Sequence, residues 1–268
     1  MLEIEFGQAT HPGKVRTNNE DCTGYFEPRS RQEARSRGWF FALADGVGGF
    51  EFGEIASSKA IQVVCEEFSQ CQENTSLISL LPRLIQHANV AVHDEGLVRE
   101  RRGSHMATTI VTCALRHDQA FIAHVGDSRC YHLRDGRATP VTQDHTWVNE
   151  QRKLGLISSA DVENAETRHL LTRSLGPDLF VTADSNTVSL RSGDRLVLCS
   201  DGLYGGLQNH DIARIASQSK NLDEVARDLV CSSVDADGSD NTTAVIIGIR
   251  SIEAMAMYRG RLYPRPGA

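Results

Sequence analysis

No two of the seven cysteines (Cys22, Cys65, Cys71, Cys113, Cys130, Cys199, Cys231) stand at C-x-x-C spacing. The odd count and the scatter argue against a disulfide framework and against a zinc site. They read as reduced thiols in strands and helices. No window approaches the roughly 18 apolar residues of a membrane helix. The opening Met1-Leu2-Glu3-Ile4-Glu5-Phe6 lacks the basic-then-apolar order of a secretory signal. The expectation is a cytoplasmic chain with no membrane partner. No basic stripe stands out and the formal net charge is −7, so nucleic acid is not an expected partner. No repeat period is visible.

What is there is an ordinary globular balance, 40% hydrophobic and 24% charged over 268 residues. One domain is expected over residues 1–250. The tail 251–268 ends in a stretch rich in Pro, Gly and Arg and is expected to be mobile. After the first Asp-Gly, two helical faces follow. Ile55, Ala56, Ala60, Ile61, Val64, Cys65 and Phe68 share one. Leu77, Leu81, Leu84, Ile85, Ala88 and Val92 share the other, with Pro82 near its start.

A β-rich block covers Thr108–Leu115, Ala120–Val125 and Cys130–Leu133, and Asp135-Gly136 signals a hairpin turn. Residues 145–170 turn polar, with a short helix at Gln151–Ile157, and read as a flap. Strands resume near Phe180–Thr187 and Leu196–Cys199. Asn221 caps a helix with Glu224 three residues on, and Thr242–Ile249 is the final strand. Antiparallel strands with helix pairs to one side fit an α+β class, a β-sandwich flanked by helices.

Three short apolar runs end in an aspartate. Phe40–Ala44 stops at Asp45-Gly46, Phe121–Gly126 at Asp127 and Leu196–Ser200 at Asp201-Gly202. Asn19-Glu20-Asp21 and Gly238-Ser239-Asp240-Asn241 are two further acidic clusters. A carboxylate at the end of a buried strand projects from a rigid base, and several can meet at one edge of a sheet. Oxygen-only clusters select Mg²⁺, Mn²⁺ or Ca²⁺ over zinc. Calcium sites usually come from one compact loop, and here the acids come from distant segments. Distributed carboxylates suit a binuclear Mg²⁺/Mn²⁺ centre, with metals ~3.5–4 Å apart activating a shared water. The Gly46 carbonyl can approach a metal, and Gly46, Gly48 and Gly49 keep the pocket open. Phosphate esters are the natural substrate, and Arg16 is the guanidinium placed to grip one.

Each residue alone has a plainer reading. Asp-Gly pairs are commonly turns, Arg16 is a surface arginine, Asp127 caps a turn, and Asp240 is a loop acid bonded to its own backbone. The joint pattern points to metal. An acidic chain without a basic groove disfavours a two-metal nuclease.

At these residues the chain resembles the metal-dependent protein phosphatases, the type 2C serine/threonine family, in its compact bacterial form. The resemblance covers roughly residues 6–250 and is carried in order by eight pieces. These are Arg16-Thr17-Asn18-Asn19-Glu20-Asp21, Ala44-Asp45-Gly46-Val47-Gly48-Gly49, Ala107-Thr108-Thr109 and His124-Val125-Gly126-Asp127-Ser128-Arg129. Then follow Asp144-His145-Thr146, Leu171-Thr172-Arg173-Ser174-Leu175-Gly176, Ser200-Asp201-Gly202-Leu203 and Asp240-Asn241-Thr242-Thr243.

The resemblance implies a four-layer αββα sandwich, two antiparallel sheets flanked by helix pairs, with the metal centre at one end. It implies that Asp45 bridges two metals, with the Gly46 carbonyl as a further ligand. Asp201 and Asp240 complete the first metal, and Glu20 and Asp21 serve the second. Asp127 with Asp201 holds a third, for two to three Mn²⁺ or Mg²⁺ in all. Arg16 is the substrate-phosphate arginine, and residues 145–170 form the variable flap.

Two residues depart from the family. Val47 stands where many eukaryotic members carry a proton-donating histidine, leaving metal-bound water, His11 or His145 as sources. Ala107 replaces the usual glycine. The implied activity is hydrolysis of phosphoserine and phosphothreonine in proteins, opposing a serine/threonine kinase on a separate chain. The protein is expected to be monomeric. Such pairs regulate bacterial secretion, cell-wall growth or development, type VI secretion being one case. The alternative is a catalytically weak phosphoprotein-binding relative that kept the fold.

Overall fold

A computed structural model describes residues 2–47, 52–99, 106–157, 170–252, 255–258 and 261–264. The first half runs β1 (Glu3–His11), β2 (Asp21–Phe26), α1 (Arg31–Ser36), β3 (Trp39–Asp45), α2 (Gly53–Gln70), α3 (Leu77–Arg99), β4 (Ile110–Arg116) and β5 (Gln119–Val125). The second runs β6 (Arg129–Arg134), β7 (Arg137–Pro140), α4 (Trp147–Lys153), β8 (Asp184–Ser189), β9 (Arg195–Cys199), α5 (Asp201–Gly206), α6 (Asn209–Ala216), α7 (Leu222–Ala236) and β10 (Thr242–Ser251). A hairpin follows, β11 (Met255–Tyr258) with β12 (Arg261–Pro264).

Two five-stranded antiparallel sheets form, ordered β1-β10-β9-β6-β7 and β2-β3-β4-β5-β8. Side chains alternate along a strand, and here the alternation divides the core into three layers. On β3, Phe40, Ala42 and Ala44 pack outward under α2 and α3. Phe41 and Leu43 point inward and meet Leu196, Leu198, Val245 and Ile247 of the other sheet. On that sheet Val197, Cys199, Ala244 and Ile246 face outward to α5, α6 and α7. The αββα sandwich expected from the sequence is the fold. Each fully buried Leu or Ile contributes about 1.5–3 kcal/mol to holding these layers together.

Local signals act where expected. Asp135 and Gly136 both have positive φ (52° and 73°), the hairpin turn between β6 and β7. The Asn221 side chain accepts from the Asp223 N–H at 2.8 Å and caps α7. Pro82 lies inside α3, one turn past its start at Leu77, where it forgoes a backbone bond. The short helix near the flap begins earlier than expected, at Trp147. Residues 158–169 of the flap lie outside the described residues, as do Gly48 and Gly49 beside Asp45.

The strand expected from Phe180 begins only at Asp184. Side chains of α3 have already taken the backbone groups before it. Gln86 donates to the Leu179 carbonyl (2.9 Å) and accepts from the Val181 N–H (3.0 Å). Asn89, fully buried, donates to the carbonyls of Asp178 and Leu179 and accepts from the Gly176 N–H. Asn89→Ala strands these groups, and a loss of roughly 2–4 kcal/mol of unfolding free energy is expected in urea denaturation. A change below about 0.5 kcal/mol would show that the clamp contributes nothing.

Candidate metal centre

The candidate acids gather at one end of the sandwich. Asp21 and Asp45 are direct register partners across β2 and β3. Both stand at inward positions of the alternation, facing the second sheet. From that sheet come Ser200, at the end of β9, and Thr243, on β10. Both hydroxyls donate to Asp21 Oδ2, at 2.8 Å and 2.6 Å. The gap between sheets is thus closed by a carboxylate of one and two hydroxyls of the other. Among the described residues Asp21 Oδ1, also buried, accepts no hydrogen bond from an N–H or hydroxyl group.

The backbone around Asp45 is fixed by the two residues that lead into β4. The Asp45 carbonyl accepts from the Thr109 N–H (2.8 Å) and the Thr108 hydroxyl (2.8 Å). The Asp45 N–H donates to Thr109 Oγ1 at 3.2 Å, and that hydroxyl also bonds Ser128 Oγ at 2.7 Å. Thr108 exchanges both backbone bonds with Leu175. The motifs around Thr108, Ser128 and Leu175 therefore build the seat of Asp45. Ala107 accepts from the Val47 N–H at 3.0 Å.

Gly46 has its own constraint. A Cβ there would lie 2.5 Å from the backbone of Gly53, where α2 begins. The first turn of α2 also abuts the Glu20 carboxylate, which a Cβ on Gly53 would meet at 2.7 Å. Helix N-termini favour such anions.

Asp127 is 5% exposed at the end of β5. Asp201 opens α5, and Gly202 beside it leaves no space, since a Cβ would lie 2.2 Å from the Asn241 carbonyl. Asp240 accepts from the Asn241 N–H at 2.8 Å, the local bond of an ordinary loop acid. Its other oxygen takes Arg16 at 2.8 Å.

The electrostatics register the crowding. Burial, and then the charge of Asp201, push the Asp21 carboxyl up to about 7, against the pull of its two hydroxyl donors. Asp45 is held far above the carboxylate range by burial, then by Asp21, Asp201, Asp127 and Asp240. Asp127 is raised by burial, then by Asp201 and Asp144. Glu20 is raised by burial and then by Glu54. Such carboxyls are costly to ionise without a cation.

Among the described residues no three His, Cys, Asp or Glu side chains close on one point as a finished ligand set. The carboxylates instead share one buried end and raise one another. An all-oxygen donor set, one buried oxygen without an N–H or hydroxyl donor and uncompensated negative charge all fit a hard divalent cation.

Of the two histidines named as proton sources, His145 is committed elsewhere, and His11 has one ring nitrogen engaged. His11 Nδ1 accepts from the Gly13 N–H at 2.9 Å. His145 is fully buried, stacked on His124 with centroids 4.7 Å apart. Its Nδ1 accepts from the Gly126 N–H at 3.2 Å and its Nε2 lies 3.2 Å from Asp184. Burial, then His124, lowers it to about 4, so it stands neutral. It supports the root of the flap, where the Thr172 N–H donates to its carbonyl. Asp144 belongs to the same support, holding Arg129 through both oxygens at 2.9 and 2.6 Å.

Ser200, Thr243, Thr109, Ser128 and Asn241 were not singled out from sequence. Ser200, Ser128 and Asn241 each adjoin an acid, the one signal the sequence carries for them, and Thr109 and Thr243 have none.

A buried, oxygen-lined acidic centre bridging both sheets of an αββα sandwich defines a class of metal-dependent hydrolase. The family described as Protein phosphatase 2C is matched over residues 17–235, and the chain belongs to it. The serine/threonine phosphatase stp of Listeria innocua is 30% identical over 260 residues, covering 94% of this chain and 96% of that protein. The catalytic domain of the serine/threonine protein phosphatase PstP, solved with 2 manganese ions, is 27% identical. It superimposes with a TM-score of 0.79 over 94% of this chain and 100% of that one. PppA, a key regulatory component of T6SS in Pseudomonas aeruginosa, is 26% identical, with a TM-score of 0.75 over 92% and 97%.

Proposed function

We infer that this chain is a metal-dependent protein serine/threonine phosphatase, a phosphoric monoester hydrolase acting on phosphoserine and phosphothreonine in proteins. One observation carries the reading. Asp21 and Asp45 from one sheet meet the Asp201 and Asp240 segments of the other, with Arg16 on Asp240 and one buried carboxylate oxygen without an N–H or hydroxyl donor. The PstP structure with manganese supports Mn²⁺ or Mg²⁺ as the ion.

Asp45 with the Gly46 carbonyl, Asp201 and Asp240, Glu20 and Asp21, and Asp127 are the residues that would hold two to three Mn²⁺ or Mg²⁺. Asp45 stands at their middle, Asp201 and Asp240 serving one, Glu20 and Asp21 another, and Asp127 with Asp201 a third. Once bound, the ions would supply Lewis acidity and an activated water. The hydroxyls of Ser200 and Thr243 hold Asp21 by one carboxylate oxygen. Thr108 and Thr109 fix the backbone of Asp45. Arg16, raised by its bond to Asp240, stays cationic and takes the substrate phosphate through paired N–H donors. Val47 contributes no proton and His145 stands neutral and committed, so solvent at the centre or His11 would protonate the leaving alkoxide.

A weakly catalytic binding relative is disfavoured, because every acid such a relative would have lost is in place. Phosphorylated proteins are the substrates, and the kinase that makes them is a separate chain. We place the protein in the cytoplasm as a monomer. No described helix is long and apolar enough to cross a membrane. The domain spans residues 1–250 with its flap at 145–170, and 251–268 is a tail. The likeness to PppA supports a type VI secretion role as one pathway.

The purified chain is expected to hydrolyse a phosphothreonine peptide with added Mn²⁺, and excess chelator should abolish the release of phosphate. Turnover that survives the chelator would overturn the reading.

A further inference from the structure

We propose that Asn241 is the positioning residue for the phosphate-binding loop, pinning both feet of the segment that carries Arg16. This rests on the phosphatase reading. Arg16 sits in an exposed loop, its side chain 42% accessible. Such a long side chain has no fixed place unless its backbone is held.

One buried amide holds that backbone. Asn241 is 4% exposed. Its Nδ2 donates to the carbonyls of Pro12 and Asn18, both at 2.9 Å. These residues lie before and after Arg16 in the chain. Its Oδ1 accepts from the Glu20 N–H at 2.8 Å. Three backbone groups on both sides of Arg16 thus converge on one side chain.

The remaining contacts run the same way. The Lys14 N–H donates to the Gly238 carbonyl at 2.7 Å. Gly13, at φ +83°, lies so close that a Cβ would come within 2.5 Å of the Asp240 carbonyl. The loop therefore lies flat on the 238–241 turn, and Arg16 reaches Asp240 from it.

The chemistry selects asparagine. Its amide offers two donors and an acceptor in one plane. Aspartate has no donor for the two carbonyls, and alanine reaches none of the three groups. A loop fixed in advance spares the ordering cost when phosphate binds. Asn241 touches no substrate in this arrangement, so its effect falls on binding.

The test measures inorganic phosphate binding by calorimetry with saturating Mn²⁺, together with peptide turnover, in the parent and two variants. Asn241→Ala removes the clamp. Gly13→Ala pushes the loop off the turn while leaving the Asn241 side chain itself in place, and carries the test if the first variant does not fold. Each variant is expected to weaken phosphate binding and raise KM by roughly tenfold, with kcat changed by less than about threefold. Calorimetric Mn²⁺ affinity should fall by less than about threefold, well short of the loss in phosphate binding, since both variants meet only the backbone of Glu20 and Asp240.

Unchanged phosphate binding in both variants overturns the proposal. So does a fall in kcat at constant KM, a parallel loss of Mn²⁺ affinity, or a parent that binds no phosphate. A parent that binds phosphate but hydrolyses nothing refutes the phosphatase function, while the binding arm still decides on Asn241.

Discussion

Asp45→Asn should lower Mn²⁺-dependent turnover of a phosphothreonine peptide by about a thousandfold or more. The substitution keeps the shape and removes the charge. An amide offers one oxygen and no negative charge, so it cannot bridge two cations. The seat of the residue is backbone, built by Thr108 and Thr109, and it survives the change. The loss therefore cannot be attributed to unfolding. In chelator the variant should even melt higher than the parent near neutral pH. Burial and three or more neighbouring carboxylates oppose ionisation of Asp45, and asparagine has nothing to ionise. Parent-like activity in the variant sinks the assignment of Asp45, and a lower melting temperature in chelator sinks its electrostatic account.

Chelated protein is expected to lose stability as pH rises from about 4 towards neutrality, and added Mn²⁺ to restore it. The sign follows from Asp21. Its ordinary value is 3.8, and in the fold it rises to about 7. Below both values the carboxyl is neutral in either state and the fold carries no penalty. Between them the unfolded chain releases its proton first, so stability falls until pH passes the folded value. Asp45 and Asp127 are raised in the same direction and extend the loss upward. The sum is on the order of several kcal/mol.

Mn²⁺ binds the ionised carboxylates, so protons compete with it. At a hundred times its dissociation constant it should return about 3 kcal/mol, and a fixed concentration should return more at pH 8 than at pH 6. Thermal unfolding across pH, with and without Mn²⁺, measures both effects. In Asp45→Asn the slope in chelator should flatten. A chelated parent more stable at pH 8 than at pH 5 removes the basis of the site's electrostatics.

Much of the centre was legible because strand alternation is short-ranged. Phe40 to Ala44 must form a strand buried on both faces, and whatever follows Ala44 lands at the sandwich end. The same holds for Leu196 to Ser200. What could not be read is pairing between distant segments. Nothing near Asp21 announces that Ser200 and Thr243 will hold it, because those bonds span 179 and 222 residues.

The late start of β8 has the same origin, since Gln86 and Asn89 act from more than eighty residues away. Helix α5 is too short to show a period, and Asp201-Gly202 reads as a turn although it opens a helix. His145 looked like a proton source by residue type. Only its burial against His124 and its bond from Gly126 reveal a supporting role.

Strand β1 has one neighbour in its sheet, β10, and pairs with it along its whole length, from Glu3 with Ser251 to His11 with Thr242. The earliest strand of the two sheets therefore waits for the latest of them. While the ribosome is still adding residues before Thr242, β1 has no edge to join, and the loop bearing Arg16 has no Asn241 to rest on. The second sheet can pair among its own strands during synthesis, but the centre needs both ends of the chain. Catalysis thus begins only after nearly the whole domain has left the exit tunnel, and a nascent chain cannot strip phosphate from proteins around it.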